Sequence, residues 1–204
     1  MPKCPECGAA YVAGIPSNTR AHRKYHDEIV HGIPAKPLAS DRVIWEEQPY
    51  RITVVNHLSS FRQRKRAEKA GVVANRDTGY TFQPYSASEP LDDRNVHLFL
   101  LHHQDRIVGL LVLEMRSVIW KCTWEEYQRH VFNNKLLDHP PIWSVGLAWV
   151  NRHHRRKGLA CRMATEAARF PGIQLQQLGW RTPFTESGKA MVRKLCPEEF
   201  YIAK

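Results

Sequence analysis

Trp149-Val150-Asn151-Arg152-His153-His154-Arg155-Arg156-Lys157-Gly158-Leu159-Ala160-Cys161-Arg162 decides how this chain folds. Before it, Trp143 to Val150 is a short apolar run of the kind buried on both faces of a sheet. After it, Leu159, Met163, Ala167 and Phe170 recur at helical spacing, and Pro171-Gly172 stops the helix. A strand therefore leaves the sheet through a basic, glycine-containing turn and returns as a helix. Backbone N–H groups at a helix N-terminus point outward without partners, and the helix dipole adds positive potential there. The turn predicts a cradle for a polyanion, with Arg155 to Ala160 around it.

The chain has 204 residues, 43% of them apolar and 25% charged, enough for one filled core and a small appendage. It has no apolar run long enough to span a bilayer, and it opens Pro2-Lys3-Cys4 without an apolar signal region. The expectation is an intracellular protein without a membrane segment, nuclear if eukaryotic and cytoplasmic if bacterial or viral. The formal charge of +10 implies phosphates or acidic surfaces as partners. A basic block at Arg62, Arg64, Lys65, Arg66 and Lys69 follows Ser59-Ser60 and reads as an N-capped helix stopped at Gly71. It is either a docking face or a solvated one.

Cys4-Pro5-Glu6-Cys7, fourteen residues, then His22 and His26 present two thiols on a turn and two imidazoles one helical turn apart. Such a set closes a tetrahedron around zinc. His31 is an alternative fourth ligand to His26. The remaining thiols, Cys122, Cys161 and Cys196, read as buried and unpaired, as expected in a reducing compartment. Residues 1–32 form the finger, the proline-bearing stretch 33–42 a linker, and 43–204 the main domain. A single finger with this interval either packs on the main domain, contacts a protein, or contacts nucleic acid.

Elsewhere, Tyr50 to Asn56 reads as a strand, and His97 to Leu101 with Arg106 to Glu114 as a hairpin. Thr123 to Phe132 reads as a helix, Ile173 to Trp180 as a strand, Lys189 to Leu195 as a helix and Phe200 to Ala203 as a closing strand.

Arg155, Gly158 and Ala160 fill the Arg/Gln-x-x-Gly-x-Gly/Ala positions that resemble motif A of the GCN5-related N-acetyltransferases (GNAT). That likeness implies an α+β fold with a mixed central sheet flanked by helices. It also implies acetyl-CoA as substrate: Leu147, Ala148, Trp149 and Val150 would lie along its pantetheine arm, and Arg155, Arg156, Lys157, Gly158, Leu159 and Ala160 would hold its pyrophosphate. The finger, the Trp149-Val150 strand running into Arg155-Arg156-Lys157, and the tail from Thr182-Pro183 through Gly188-Lys189 to Lys194-Leu195-Cys196 together resemble the cohesin acetyltransferases. Membership implies transfer of acetyl to a lysine of a DNA-associated protein, cohesin's head subunit in eukaryotes. The chain departs from that family's pattern at Gly146-Leu147, where Ser-Arg is usual, and at Thr182.

A lysine of pKa near 10.4 is neutral in about one molecule in 2,500 at pH 7, which withholds roughly 4.6 kcal/mol from an uncatalysed attack. A carboxylate base is expected: Glu186 in the tail loop first, Glu114 at the hairpin end second. An amide near Leu147 or Ala148 would stabilise the oxyanion, Tyr201 would protonate the leaving thiolate, and Thr182 lies in the same tail. Two other readings stay open on the sequence: an acetyltransferase for an RNA-bound or small amine, and a zinc-finger adaptor whose acyl-CoA site has lost its chemistry.

Overall fold

The computed structural model describes residues 3–12, 14–79, 86–88, 95–132, 136 and 139–204. Helix α1, Pro16–His31, leads into a two-residue strand β1, Ile33–Pro34, then β2, Arg42–Glu47, and β3, Tyr50–Val55. Helix α2, Phe61–Thr78, follows, then the long hairpin of β4, Val96–His103, and β5, Arg106–Arg116. Strand β6, Ile119–Thr123, passes into the short helix α3, Trp124–Arg129. Strand β7, Ile142–Val150, and helix α4, Leu159–Arg169, carry the basic turn. Strand β8, Gly179–Trp180, helix α5, Glu186–Leu195, and strand β9, Glu199–Ala203, complete the chain.

One sheet in the order β2-β3-β4-β5-β7-β8-β9-β6 organises these elements. Its left half is antiparallel, while β7, β8 and β9 run parallel to one another. Side chains alternate along each strand, and so divide into two cores. On one face Phe99, Leu111, Leu113, Val145 and Trp180 pack under Met163, Ala164 and Ala167 of α4 and Val192 of α5. On the other, Leu98, Leu100, Leu110, Val112 and Trp149 pack under Ala67, Ala70 and Val73 of α2 and Ile29 and Val30 of α1. This is the α+β fold with a mixed central sheet flanked by helices that the sequence predicts.

Several boundaries differ from the sequence expectation for physical reasons. Helix α2 does not stop at Gly71. That glycine is buried within the helix, between Ala67, Ala70 and Val73 on the core-facing side, and the stop falls at Gly79 in the left-handed region with φ 67°. Tertiary burial outweighs the roughly 1 kcal/mol that an internal glycine costs. Ser60 caps the helix as expected, in a reciprocal capping box with Gln63. Helix α3 ends at Arg129, because His130 turns left-handed at φ 58°. The stretch expected as a strand from Ile173 is mostly a tight turn at Leu175–Gln177, and only Gly179–Trp180 pairs. Strands β2 and β6 were not anticipated. Cys161 is half-buried rather than buried.

The segment between finger and main sheet is pinned rather than slack. Ile33 pairs with Ile107 and Pro34 with Arg106 of β5, and Ala35 N–H donates to Asp105 O at 2.7 Å. Ile33 is 2% exposed, so this pairing is also a packing contact. Among the described residues, no helix is long and apolar enough to cross a membrane.

Candidate functional site

The strand that carries the site has two unequal edges. Along one, β7 pairs with β5 over its whole length, from Ile142 against Arg116 to Val150 against Gly109. Along the other it meets β8 at only two positions, Ser144 against Gly179 and Val145 against Trp180. Arg181 N–H donates to Val145 O at 3.0 Å, and beyond that point β8 has ended. The outer edge of β7 from residue 146 onward thus has no strand partner among the described residues. Val150 O lies on this edge too, where it accepts from Arg155 Nε at 2.8 Å. Alternation by two then places the Ala148 N–H and C=O on the same open edge, and Ala148 is exposed.

A bulge marks where the edge opens. Leu147 faces Val112 and Val145 faces Leu113, leaving Gly146 unmatched. A Cβ there would run into the Glu114 carboxylate, so a side chain at 146 would displace that carboxylate from its present position. Glu114 is half-buried and 2.7 Å from Arg116 Nη2, at an orientation that leaves Oε1 without a hydrogen bond. The residue pattern across strands aligns Glu114, Ser144, Gly179 and Tyr201 in one row, on the α1/α2 face of the sheet. Glu114 and Tyr201 stand on opposite sides of the opening. Thr182 is half-buried just past Arg181, at the start of the tail loop. Glu186 is exposed in the first turn of α5.

At the far end of β7 the chain makes a short turn, Arg152–His154, and then enters α4. Arg156 adopts φ 64° and Gly158 φ 75°, two left-handed residues that swing the main chain so that the amides preceding and opening α4 face outward. A Cβ on Gly158 would meet nothing within 4 Å. The glycine is thus set by backbone conformation, with open space in front of it. No side chain caps α4, and no acid sits in its first turn. Basic residues gathered at an uncapped N-terminus oppose the helix dipole until an anion joins them.

The turn is held by a residue that the sequence did not announce. Asp77, near the end of α2, has a carboxylate 1% exposed. It accepts from Arg152 Nη2 at 2.5 Å, Arg155 Nη2 at 2.6 Å and Trp149 Nε1 at 2.9 Å. The Arg155 guanidinium is therefore spent on Asp77 and Val150 O, and what it offers a ligand is backbone shape. Arg156 and Lys157 remain exposed. Lys157 Nζ lies 3.4 Å from the Tyr50 hydroxyl, which also shares a 3.0 Å hydrogen bond with His154 Nδ1. Burial, then the nearby His103, holds His154 down at about 4, so it is neutral at pH 7.

The four candidate metal ligands converge. Cys4, Cys7, His22 and His26 bring their donor atoms within 4.8 Å of one another, while His31 stays outside the group. Cys4 Sγ to His26 Nδ1 and Cys7 Sγ to His22 Nε2 are both 3.4 Å. Tetrahedral zinc with ordinary bond lengths separates sulfur and nitrogen ligands by about 3.6 Å, so the donors fit it. The other nitrogen of His26 meets Glu6 Oε2 at 3.0 Å, the carboxylate partner that fixes a ligating ring. Backbone N–H donation from Cys7 lowers the Cys4 thiol to about 6, whereas burial raises that of Cys7. Arg152 Nη1 donates to Glu6 O at 2.9 Å, so the metal knuckle and the basic turn share one guanidinium. Asn151 Nδ2, donating to Ile29 O at 2.7 Å, adds a buried tie to α1.

No protein-family model matches the chain. The N-acetyltransferase ECO1 of Candida glabrata is 24% identical over 220 residues, spanning 92% of this chain and 81% of its own length. The xEco2 acetyltransferase domain has the same fold at TM-score 0.61, 21% identity, and 82% and 98% coverage of the two chains. Bound to a CoA conjugate, that domain matches at TM-score 0.62 and 22% identity, covering 81% of this chain and 98% of its own. The chain is thus similar in sequence to an N-acetyltransferase and in fold to the xEco2 acetyltransferase domain.

Proposed function

We propose that the protein is an acetyl-CoA-dependent N-acetyltransferase whose acceptor is a lysine on a DNA-associated protein, and that the Cys4, Cys7, His22, His26 set holds zinc. The observation that carries the enzyme reading is the one-edged strand. From residue 146 onward β7 offers backbone groups to a ligand, and the same strand delivers the chain to the uncapped N-terminus of α4. A pantetheine arm pairs like a strand with the first, and a pyrophosphate suits the second. ECO1 of Candida glabrata, an N-acetyltransferase by name, supports the same reading.

Roles follow from position. Glu114, beside the bulge, takes the proton of the incoming ammonium, directly or through one water, and the neutral amine attacks the thioester carbonyl. The Ala148 N–H, on the open edge, donates to the oxygen as negative charge develops there. Tyr201, across the opening, gives a proton to the departing sulfur and is restored by the extra proton that the nitrogen sheds as the amide forms. Arg116 beside Glu114 steadies the ionised carboxylate between turnovers. Zinc, when bound, supplies structure rather than reaction chemistry: all four protein donors are used, which leaves no open position for a reacting group.

Purified protein incubated with acetyl-CoA and candidate acceptors, followed by mass spectrometry, tests the reading. Acetyl-lysine on a DNA-associated protein is expected. Acetylated RNA or small amines would redirect the acceptor assignment, and CoA binding without any product would remove the enzyme reading. Glu114→Gln should lower kcat by about 100-fold with little change in acetyl-CoA affinity, while Glu186→Gln should change kcat less than about 3-fold.

A further inference from the structure

Where the basic residues sit after internal ion pairing is informative. Asp77 is taken by Arg152 and Arg155, Asp41 by Arg66, Glu28 by Lys69, Asp27 by Arg106 and Glu68 by Lys65. The four acids of α1 and α2, Asp27, Glu28, Glu68 and Asp77, are thus all consumed by pairs within the fold. Left over on the outside are Arg20, Arg23 and Lys24 of α1 and Arg62 and Arg76 of α2, all exposed and paired with no carboxylate among the described residues. Arg76 instead lies over the Tyr25 ring, its guanidinium carbon 5.9 Å from the centroid.

Packing turns these residues into one track. Glu28 meets Lys69 and Tyr25 meets Arg76, so α1 and α2 run antiparallel and close side by side. Lys24, Lys69 and Arg76 line a shared cleft of about 430 Å³ between the two helices together with Val72 and Val73 and with Glu28 and Glu68, the two acids already paired to Lys69 and Lys65. Arg20 and Arg23 continue the line past the end of α2, and Arg62 ends it at the other side. From Arg62 to Arg76 alone the helix rises about 21 Å, and one strand of duplex DNA presents roughly six phosphates over that length of axis.

We infer that the joined outer face of α1 and α2 is a binding track for the phosphodiester backbone of double-stranded DNA. The finger's metal ligands and Ile29 point inward, so its helix serves the track with its outward cations and not by reading bases. Charge on two rigid helices locked by Lys69–Glu28 matches a stiff duplex. A single strand would want a series of exposed rings for its bases, and among the described residues the Tyr25 ring beside the cleft lies under Arg76. This inference is independent of the acetyl-transfer reading, since none of these residues lies at the β7 opening.

Fluorescence anisotropy of the zinc-loaded full chain with a labelled 20-base-pair duplex of arbitrary sequence tests it. With five unpaired cations engaged, affinity should fall a few hundred-fold between 50 and 200 mM salt. The variant Arg20→Glu, Lys24→Glu, Arg76→Glu should bind at least about 30-fold more weakly. Arg129→Glu, Arg193→Glu, Lys194→Glu on α3 and α5 makes the same change in net charge and should cost less than about 3-fold. Should the first variant fold poorly, the glutamine versions serve, each substitution lowering the salt slope by about one. Equal losses from both triple variants would show diffuse charge and overturn the track. Tighter binding of single strands, or displacement by polyglutamate as effective as by duplex, would overturn it equally.

Discussion

The two faces of the sheet are held down by different means. Under α4 and α5 the contact is almost entirely apolar, with Trp180, Phe200, Met163 and Ala167 each at most 2% exposed. Under α1 and α2 a comparable apolar layer is laced with directed ties: Asn151 to Ile29 O, Trp149 and two arginines to Asp77, Arg152 to Glu6 O, and Thr53 Oγ1 to His102 Nε2 at 2.9 Å. Apolar contact is forgiving of small shifts, whereas hydrogen bonds to buried groups fix registry and are costly when broken. The face that carries the Cys4, Cys7, His22, His26 set, the ties to the Arg152–Gly158 turn and the Glu114–Tyr201 row is the directed one.

Zinc removal should break the comparison most sharply. Structural zinc contributes about 10–16 kcal/mol to finger peptides, and here the finger helix forms part of a core. Chelation should unfold residues 3–31 and lower the melting temperature of the whole chain. It should also weaken acetyl-CoA binding by at least about 10-fold through loss of the Glu6–Arg152 contact, as calorimetry would show. If the melting temperature stayed constant, the directed face would not depend on its metal.

Paired substitutions sharpen the contrast. Trp180→Ala on the apolar face should cost about 3–5 kcal/mol in denaturant titrations, with acetyl-CoA affinity changed little while the protein remains folded. Asp77→Asn should cost about 3 kcal/mol, because two guanidinium groups lose a buried counter-charge, and should loosen acetyl-CoA by about 10-fold with zinc stoichiometry unchanged. An Asp77→Asn protein of unaltered affinity would make the carboxylate a stability element alone.

Acid should act chiefly on the directed face. Burial holds His102 at about 4 against a reference of 6.5. Between those values the unfolded chain binds a proton that the folded chain refuses, so stability is full above pH 6.5 and declines as pH falls toward 4. The loss is on the order of 3 kcal/mol at its limit. His154, also held at about 4, works in the same direction, as does His97 on the opposite face, which burial lowers. His102→Gln should flatten the urea midpoint between pH 4 and 6.5, and an unchanged slope would remove His102 as its source. The smallest effect is expected from Gly158→Ala: about 1 kcal/mol of left-handed strain and no clash, with a few-fold loss of acetyl-CoA affinity.

What the sequence reveals and conceals follows the same division. The strand into Gly158 and the helix after it are legible because apolar period and glycine are local signals. The Cys4, Cys7, His22 and His26 set is legible because few other uses exist for those residue types at that spacing. Asp77 is not legible: its carboxylate meets partners 72 to 78 positions away, and nothing local separates it from a solvated helix-end acid. Helix α2 overruns Gly71 because burial between α2 and the sheet, invisible in a window of neighbours, favours a small residue there. The proposed role of Glu114 rests on the bulge at Gly146, a pairing irregularity between distant strands that no local sequence signal marks.

The pairing of Ile33 with Ile107 has a cellular consequence. It joins the finger to the core that also holds Ile107, so a molecule without its metal should expose part of that core as well as lose the finger. Such a chain presents the apolar surface that chaperones and proteases act on. Metal supply would then govern how much of this protein a cell keeps, in addition to how well each copy works.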